Sequence, residues 1–345
     1  MIRRASHAGS WYTRQASRLS KELDAWLANV PSPSDDGSSA SVPLPVSPAR
    51  AIIAPHAGYS YSGQAAAYAY KCIHPNSIDR IFILGPSHHV YLDGCALTKC
   101  ETYDTPLGNL KIDSEIVAEL KETGHFEDMD IDVDENEHSL EMHLPYIHKI
   151  MQGKTNGSFT IVPILVGGIS TAKESMYGRI LAPYLANPRH FFVISSDFCH
   201  WGQRFAYTYR HSSVQTPIHA SIEALDREGI ACIESLDPAK FAAYLKKTRN
   251  TICGRHPIGV LMNSVVAAFI SSDSNSGTSN NIGSNITNTK GEQAAVVDGT
   301  VHDRSNSYNS GAEIKFIYYA QSSKVLAEHD SSVSYASAYC RVHPD

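Results

Sequence analysis

The sequence predicts an α/β fold, and three observations predict it. Short continuous apolar runs at 51–54, 81–84, 159–167 and 191–194 have the length and content of strands buried on both faces. Segments with helical apolar spacing lie between them. Near the C-terminus the pattern changes to alternation, with Ile314, Phe316 and Tyr318 in 313–321 and Val333, Tyr335 and Ala338 in 331–342. These two half-buried stretches predict an antiparallel hairpin closing the sheet. With 345 residues, 42% of them hydrophobic, the chain can bury the core of one large α/β domain or two smaller ones.

Taken in order, Ser6 to Tyr12 is a Gly- and aromatic-containing loop packed on the body. Ser17 is the expected cap of a helix whose Leu19, Leu23, Trp26 and Leu27 share one face. Residues 31–50 are Pro/Ser-rich and predict a surface linker. After the 51–54 strand, 58–63 predicts a small-residue loop and 64–71 an alanine-rich helix. Strands at 81–84 and 95–99 follow, then a turn at 105–109 and a helix at 114–123 capped by Asp113. The acidic stretch 127–137 predicts a solvated loop. Pro163 suggests that the 159–167 strand is an edge or carries a bulge. Helices are expected at 172–185, 218–228, 238–247 and 258–270. Residues 271–311 are a low-complexity run of Ser, Asn, Gly and Thr, too polar to join a core, and predict a disordered insertion.

Composition excludes several functions. The net charge is -6 and no basic run exceeds a pair, which argues against nucleic-acid binding. No apolar stretch is long enough to span a bilayer. Two early arginines, Arg3 and Arg4, are followed by no apolar core, so no secretory signal is read. Seven cysteines without framework spacing predict reduced thiols in a cytoplasmic protein. The Gly-containing loop after His56 lacks both the dinucleotide fingerprint and the P-loop lysine. His138 and His143 are five apart, not the i, i+4 pair of a zincin helix, so they are expected to border a site rather than to ligate as a pair.

The chemistry-bearing residues sit where strands end. His56 follows the 51–54 run and Pro55. His88 and His89 follow 81–84, Gly85 and Pro86. Asp197 and His200 follow the 191–194 run. Ligands of open α/β sheets bind just beyond the carboxyl ends of parallel strands, so these placements predict one shared site. Cys253 lies in a Gly/Pro-bounded loop at a helix start, a setting that lowers a thiol's pKa.

Six stretches together resemble the Memo family (mediator of ErbB2-driven cell motility). They are Ser6-His7-Ala8-Gly9-Ser10-Trp11-Tyr12, Ala54-Pro55-His56-Ala57-Gly58-Tyr59, Leu84-Gly85-Pro86-Ser87-His88-His89, Glu137-His138-Ser139-Leu140-Glu141-Met142-His143-Leu144-Pro145, Ser195-Ser196-Asp197-Phe198-Cys199-His200-Trp201-Gly202 and Asn250-Thr251-Ile252-Cys253-Gly254. The resemblance implies a single domain over 1–345 with a mixed central sheet flanked by helices, similar to class III extradiol dioxygenases. It implies one copper or iron ion per chain, with His56 and His88 as ligands. Cys253 stands where those enzymes have a glutamate, and a thiolate there favours Cu(I) over an open Fe(II) site. His200, with Asp197 beside it, matches the acid/base position, and His89, His138, Glu141, His143, Tyr61 and Trp11 are expected around the pocket. The implied role is a redox-linked regulator with protein partners in motility, cytoskeletal or invasive-growth signalling. The alternatives are a metal-dependent dioxygenase on a catechol-like substrate and a phosphotyrosine-peptide adaptor, for which Arg255 alone is thin support.

Overall fold

The computed structural model describes residues 1–31, 43–155, 157–210, 216–270 and 311–342. The order is β1 (Ile2–Arg3), α1 (Ala16–Ala28), β2 (Ala49–Ala54), α2 (Tyr59–Tyr70), β3 (Arg80–Pro86), β4 (Cys95–Thr98), β5 (Thr102–Tyr103) and β6 (Leu110–Lys111). Then come α3 (Ser114–Glu122), β7 (Phe126–Met129), α4 (Ile131–Asn136), α5 (His138–Glu141), α6 (Leu144–Met151), β8 (Thr160–Val166), α7 (Thr171–Ala186) and β9 (His190–Ser195). The last are β10 (His200–Trp201), α8 (Ile218–Glu234), α9 (Pro238–Thr248), α10 (Arg255–Val265), β11 (Ala312–Gln321) and β12 (Ser332–Val342). Among the described residues no helix is long and apolar enough to cross a membrane.

The fold is mixed α/β. The main sheet runs β10-β12-β2-β9-β3-β8-β4-β7, with β11 paired to β12. Its centre, β2-β9-β3-β8, is parallel. Strands β4 and β12 pair antiparallel on either side of it. The four central strands are the continuous apolar runs of the sequence, and Ile52, Phe82, Ile83, Val162 and Val193 are fully buried. The alternating C-terminal segments form the antiparallel hairpin β11–β12. Asp113 caps α3 by accepting from the Ile116 N–H at 3.1 Å.

Several local readings are corrected. Helix α1 starts at Ala16 with Gln15 before it, so Ser17 lies in the first turn and caps nothing. Helix α2 begins at Tyr59, so most of the small-residue loop is its first turn and a half. Pro163 is inside an interior strand. On one side β8 pairs with β3. On the other, β4 covers 164–166 and Ile112 bridges at Ile161, so Pro163 falls in the gap between those partners. Of the expected linker, 32–42 lies outside the described residues. Val46 is buried and its N–H donates to the Cys72 carbonyl at 3.0 Å, so the segment before β2 is docked on the body.

The largest correction concerns the acidic stretch. It folds into β7 and α4, and Asp134, Glu135 and Glu137 are buried. The partner is Arg3, also fully buried. Its Nε donates to Asp134 Oδ1 at 2.9 Å, its Nη1 to Glu141 Oε2 at 2.8 Å and its Nη2 to the Glu137 carbonyl at 3.0 Å. Tyr103 and Thr98 hydroxyls add donors to Asp134 at 2.7 Å. Buried carboxylates are tolerable only when paired and hydrogen-bonded in this way. The solvated reading holds for Glu127, Asp128, Asp130 and Asp132, which are exposed, and fails for the three carboxylates that Arg3, Arg4 and His88 hold inside.

Two predictions follow from the packing. Arg3→Met leaves two carboxylates buried without their cation, so urea unfolding should show a loss of about 3–5 kcal/mol; a loss below about 1 kcal/mol would mean that the cluster is not a structural keystone. The low-complexity insertion lies outside the described residues, but its flanks meet: a Cβ on Gly311 would lie 2.8 Å from the Phe269 carbonyl oxygen. Replacing 271–310 by a short Gly/Ser linker should therefore leave the melting temperature within a few degrees, and a collapse of folding would refute this.

Candidate metal centre

Three neighbouring strands end at one edge. Ala54 of β2 is in register with Ser195 of β9, and Ile194 with Leu84 of β3. The residues that follow them, His56, Asp197 and His88, therefore emerge together. Their side chains, with His138 and His200, line a cavity of about 610 Å³. Trp11 and Tyr61 stand on its wall, and Arg204 and Tyr335 also line it.

Hydrogen bonds fix the tautomers. The Ser195 hydroxyl donates to the Ser139 carbonyl at 2.7 Å, so toward His56 Nδ1, 2.6 Å away, it can only accept. His56 thus carries its proton on Nδ1 and leaves an Nε2 lone pair. His88 Nδ1 donates to Glu137 Oε1 at 2.8 Å, with the same result. His200 Nδ1 faces the carbonyls of Phe198 and Thr251 at 2.9 and 3.1 Å, so its Nε2 is free as well. The ligand nitrogens of His56, His88 and His138 lie within 4.8 Å of one another; His89, Glu137 and His138 form a second such group.

The electrostatics disfavour a proton on His56 and His138. Burial, then the neighbouring His88 and His138, pushes His56 well below the usual imidazole range. Burial, then His88, lowers His138 to about 3. Burial alone would raise the Glu137 carboxyl. The His88 hydrogen bond and charge, with backbone N–H groups of His88 and Ser139, outweigh it and hold Glu137 at about 2. An ionised carboxylate on the far nitrogen of His88 makes it a better donor.

Cys253 approaches from the other side. Its Sγ is 3.2 Å from His56 Nε2 and accepts from the Asp197 N–H at 3.3 Å. Gly254 permits this approach: a Cβ there would meet the Ser195 carbonyl oxygen at 2.3 Å. The expected lowering of the thiol pKa is not found. Burial, then the Asp197 charge, pushes Cys253 up, outweighing its backbone N–H contacts. Cys253 belongs to neither of the close three-residue groups.

The remaining residues sort by contact. His138 lies between Trp11 and His88, with ring centroids at 4.2 and 4.4 Å. Its buried Nδ1 has no hydrogen-bond partner among the described residues. Asp197 Oδ1 accepts from the His56 N–H at 2.9 Å, so the carboxylate pins the strand end. Burial raises its carboxyl above the usual range, against the opposing His200. Glu141 is fully buried and accepts from the His7 N–H and the Tyr12 hydroxyl, which secures the loop carrying Trp11. His143 pairs with the Tyr70 hydroxyl at 2.8 Å; neither Glu141 nor His143 lines the cavity. His89 is exposed, 6.0 Å from His138 between ring centroids. Sequence reasoning missed the roles of Glu137 and Ser195. Both lay inside quoted motifs, but only Ser195 sits at a strand end; Glu137 lies between α4 and α5, 49 positions from His88.

The chain is similar to known proteins along nearly all of its length. It is 46% identical over 343 residues to Protein MEMO1 of Homo sapiens, covering 99% of this chain and 98% of that one. Protein MEMO1 of Danio rerio is 47% identical over 343 residues, with the same coverage. The Protein memo-1 homolog of Caenorhabditis elegans is 44% identical over 345 residues, 99% of this chain and 83% of that one. Among solved structures, uncharacterized protein JW3007 from Escherichia coli K12 matches with 12% identity and a TM-score of 0.38, over 84% of this chain and 99% of that one. The model of the Memo-like protein family matches residues 3–269. The chain belongs to the Memo family.

Proposed function

We propose that the protein binds one redox-active metal ion, copper or iron, on His56, His88 and Cys253, and acts as a cytoplasmic, redox-linked regulator. The observation that supports this most is the pair of fixed tautomers: Ser195 and Glu137 hold the Nδ1 protons and leave two Nε2 lone pairs that meet no donor among the described residues but a thiol 3.2 Å from one of them. Such a donor set fits a soft or borderline ion, the thiolate favouring Cu(I) and the imidazoles accepting Fe(II). The bound ion would supply one-electron redox chemistry. The chain's own residues orient the donors, and His200 presents a proton acceptor at Nε2 in the same cavity. Seven free cysteines fit a reducing compartment. Protein partners in motility or invasive-growth signalling are part of the proposal and rest on the family resemblance.

Two other readings have specific support. His138 is the third donor if closeness of ligand atoms decides, since it groups with His56 and His88. Against this, its ring is sandwiched between Trp11 and His88. A dioxygenase acting on a catechol-like diol is favoured by His200 and the cavity volume; oxygen uptake with catechol would reveal it.

Anaerobic Cu(I) titration against a competing chelator tests the donor set. Wild type should bind one ion per chain, and Cys253→Ser should lose well over ~100-fold in affinity, beyond the ~10–100-fold expected when an orienting partner is removed, as in Glu137→Gln. His138→Gln should lose no more than Glu137→Gln. Unchanged affinity in Cys253→Ser with total loss in His138→Gln would transfer the third position to His138.

A further inference from the structure

We propose that a second cavity, formed where α9 and α10 meet the start of α7, binds a small organic phosphate: an oxyanion with an apolar body. The cavity encloses about 520 Å³ and shares no lining residue with the histidine cavity. Lys246, Arg249 and Arg255 stand around it. Among the described residues none of the three has a carboxylate within 4.0 Å. Their neighbours are treated differently: Lys240 pairs with Asp237 at 3.5 Å and Lys247 with Glu228 at 2.9 Å. In a chain of net charge -6, three uncompensated cations around one hollow create a local positive field that suits a dianion better than a monoanion. The one acid on the wall, Glu174, is occupied by His256 Nδ1 at 2.6 Å.

Independent features agree. Arg249 has φ of 55°, a left-handed conformation that helix ends usually assign to Gly or Asn. The left-handed turn ends α9 at the rim of the cavity and sets Arg249 on its wall. Helix α10 opens here with Gly254 at its N-cap and no side-chain cap, so its dipole adds to the cations. Asn250 is 4% exposed and lines the cavity, and its Oδ1 has no hydrogen-bond partner among the described residues. Its amide is anchored, Nδ2 donating to Asp226 Oδ1 at 2.9 Å and to the Tyr244 hydroxyl at 2.7 Å, so the side chain is a fixed part of the wall. The rest of the wall is apolar, through Ile169, Phe241 and Leu245, which gives an attached carbon chain somewhere to lie. Thr251 lines this cavity while its Oγ1 and carbonyl hold His200 in the other, so one loop serves both.

Calorimetric titration of the full chain at physiological ionic strength tests the site, with butyl phosphate, inorganic phosphate and butanol as probes. Butyl phosphate should saturate a single site, inorganic phosphate should bind several-fold more weakly, and butanol should give no heat beyond dilution. The double variant Arg249→Gln/Arg255→Gln should weaken butyl phosphate at least ~10-fold through lost charge-assisted hydrogen bonds, with an unchanged melting temperature because both side chains are exposed. Arg204→Gln, in the histidine cavity, should leave the affinity as it was. No saturable binding, equal affinity in the double variant, or loss in Arg204→Gln would overturn the proposal, and equal affinity for inorganic phosphate would overturn the assignment of an apolar body.

Discussion

The parallel pairing of β2, β9 and β3 is the constraint on which the site depends. Each strand is buried on both faces, so none can slip without moving apolar side chains out of the core. Their common register brings three chain segments to one edge within a residue or two of each other. The polar groups of the histidine cavity hang from that edge. His56 and Asp197 are joined there by a backbone-to-carboxylate hydrogen bond, and the start of α10 docks against the end of β9 through Gly254.

Around this edge the protein spends few charges and satisfies each one. Glu137 faces His88 and the backbone, Glu141 faces Arg3 and the N-terminal loop, and Asp134 closes the group from β4's side. The contacts of Arg3 link residues more than 130 positions apart in sequence, as in the Arg3–Asp134 pair. The N-terminal loop is thereby fixed beside the histidines, and Trp11, though still exposed on one side, becomes a wall of the cavity. Aromatic contact with Trp11 in turn limits how His138 can rotate.

Much of this was legible in the sequence because it rests on local pattern. Continuous apolar runs identify interior strands, and the residues just after them are functional candidates by position alone. His56, His88, Asp197 and His200 all lie at the cavity for that reason. What was not legible depends on partners distant in sequence. The acidic stretch at 127–137 reads as solvated throughout until Arg3, Arg4 and His88 are placed against Asp134, Glu135 and Glu137. The Cys253 thiol reads as activated by its helix start until its depth and the nearby Asp197 are known. Pro163 reads as an edge signal because the sequence does not show which of its neighbours stops pairing. His138 and His143 were treated as one pair, but α5 ends at Glu141 and α6 begins at Leu144, so the break between them sends one to the cavity and the other to the core.

The donor chemistry carries the functional account. Two imidazoles with fixed protons and one half-buried thiol form a set in which a proton occupies the sulfur until a metal displaces it. X-ray absorption spectroscopy of the full chain loaded with one equivalent of Cu(I) addresses this most directly, because it identifies the atoms bound to the ion. The account predicts one sulfur scatterer together with imidazole nitrogens. A spectrum fitted by nitrogen alone, unchanged by Cys253→Ser, would contradict it.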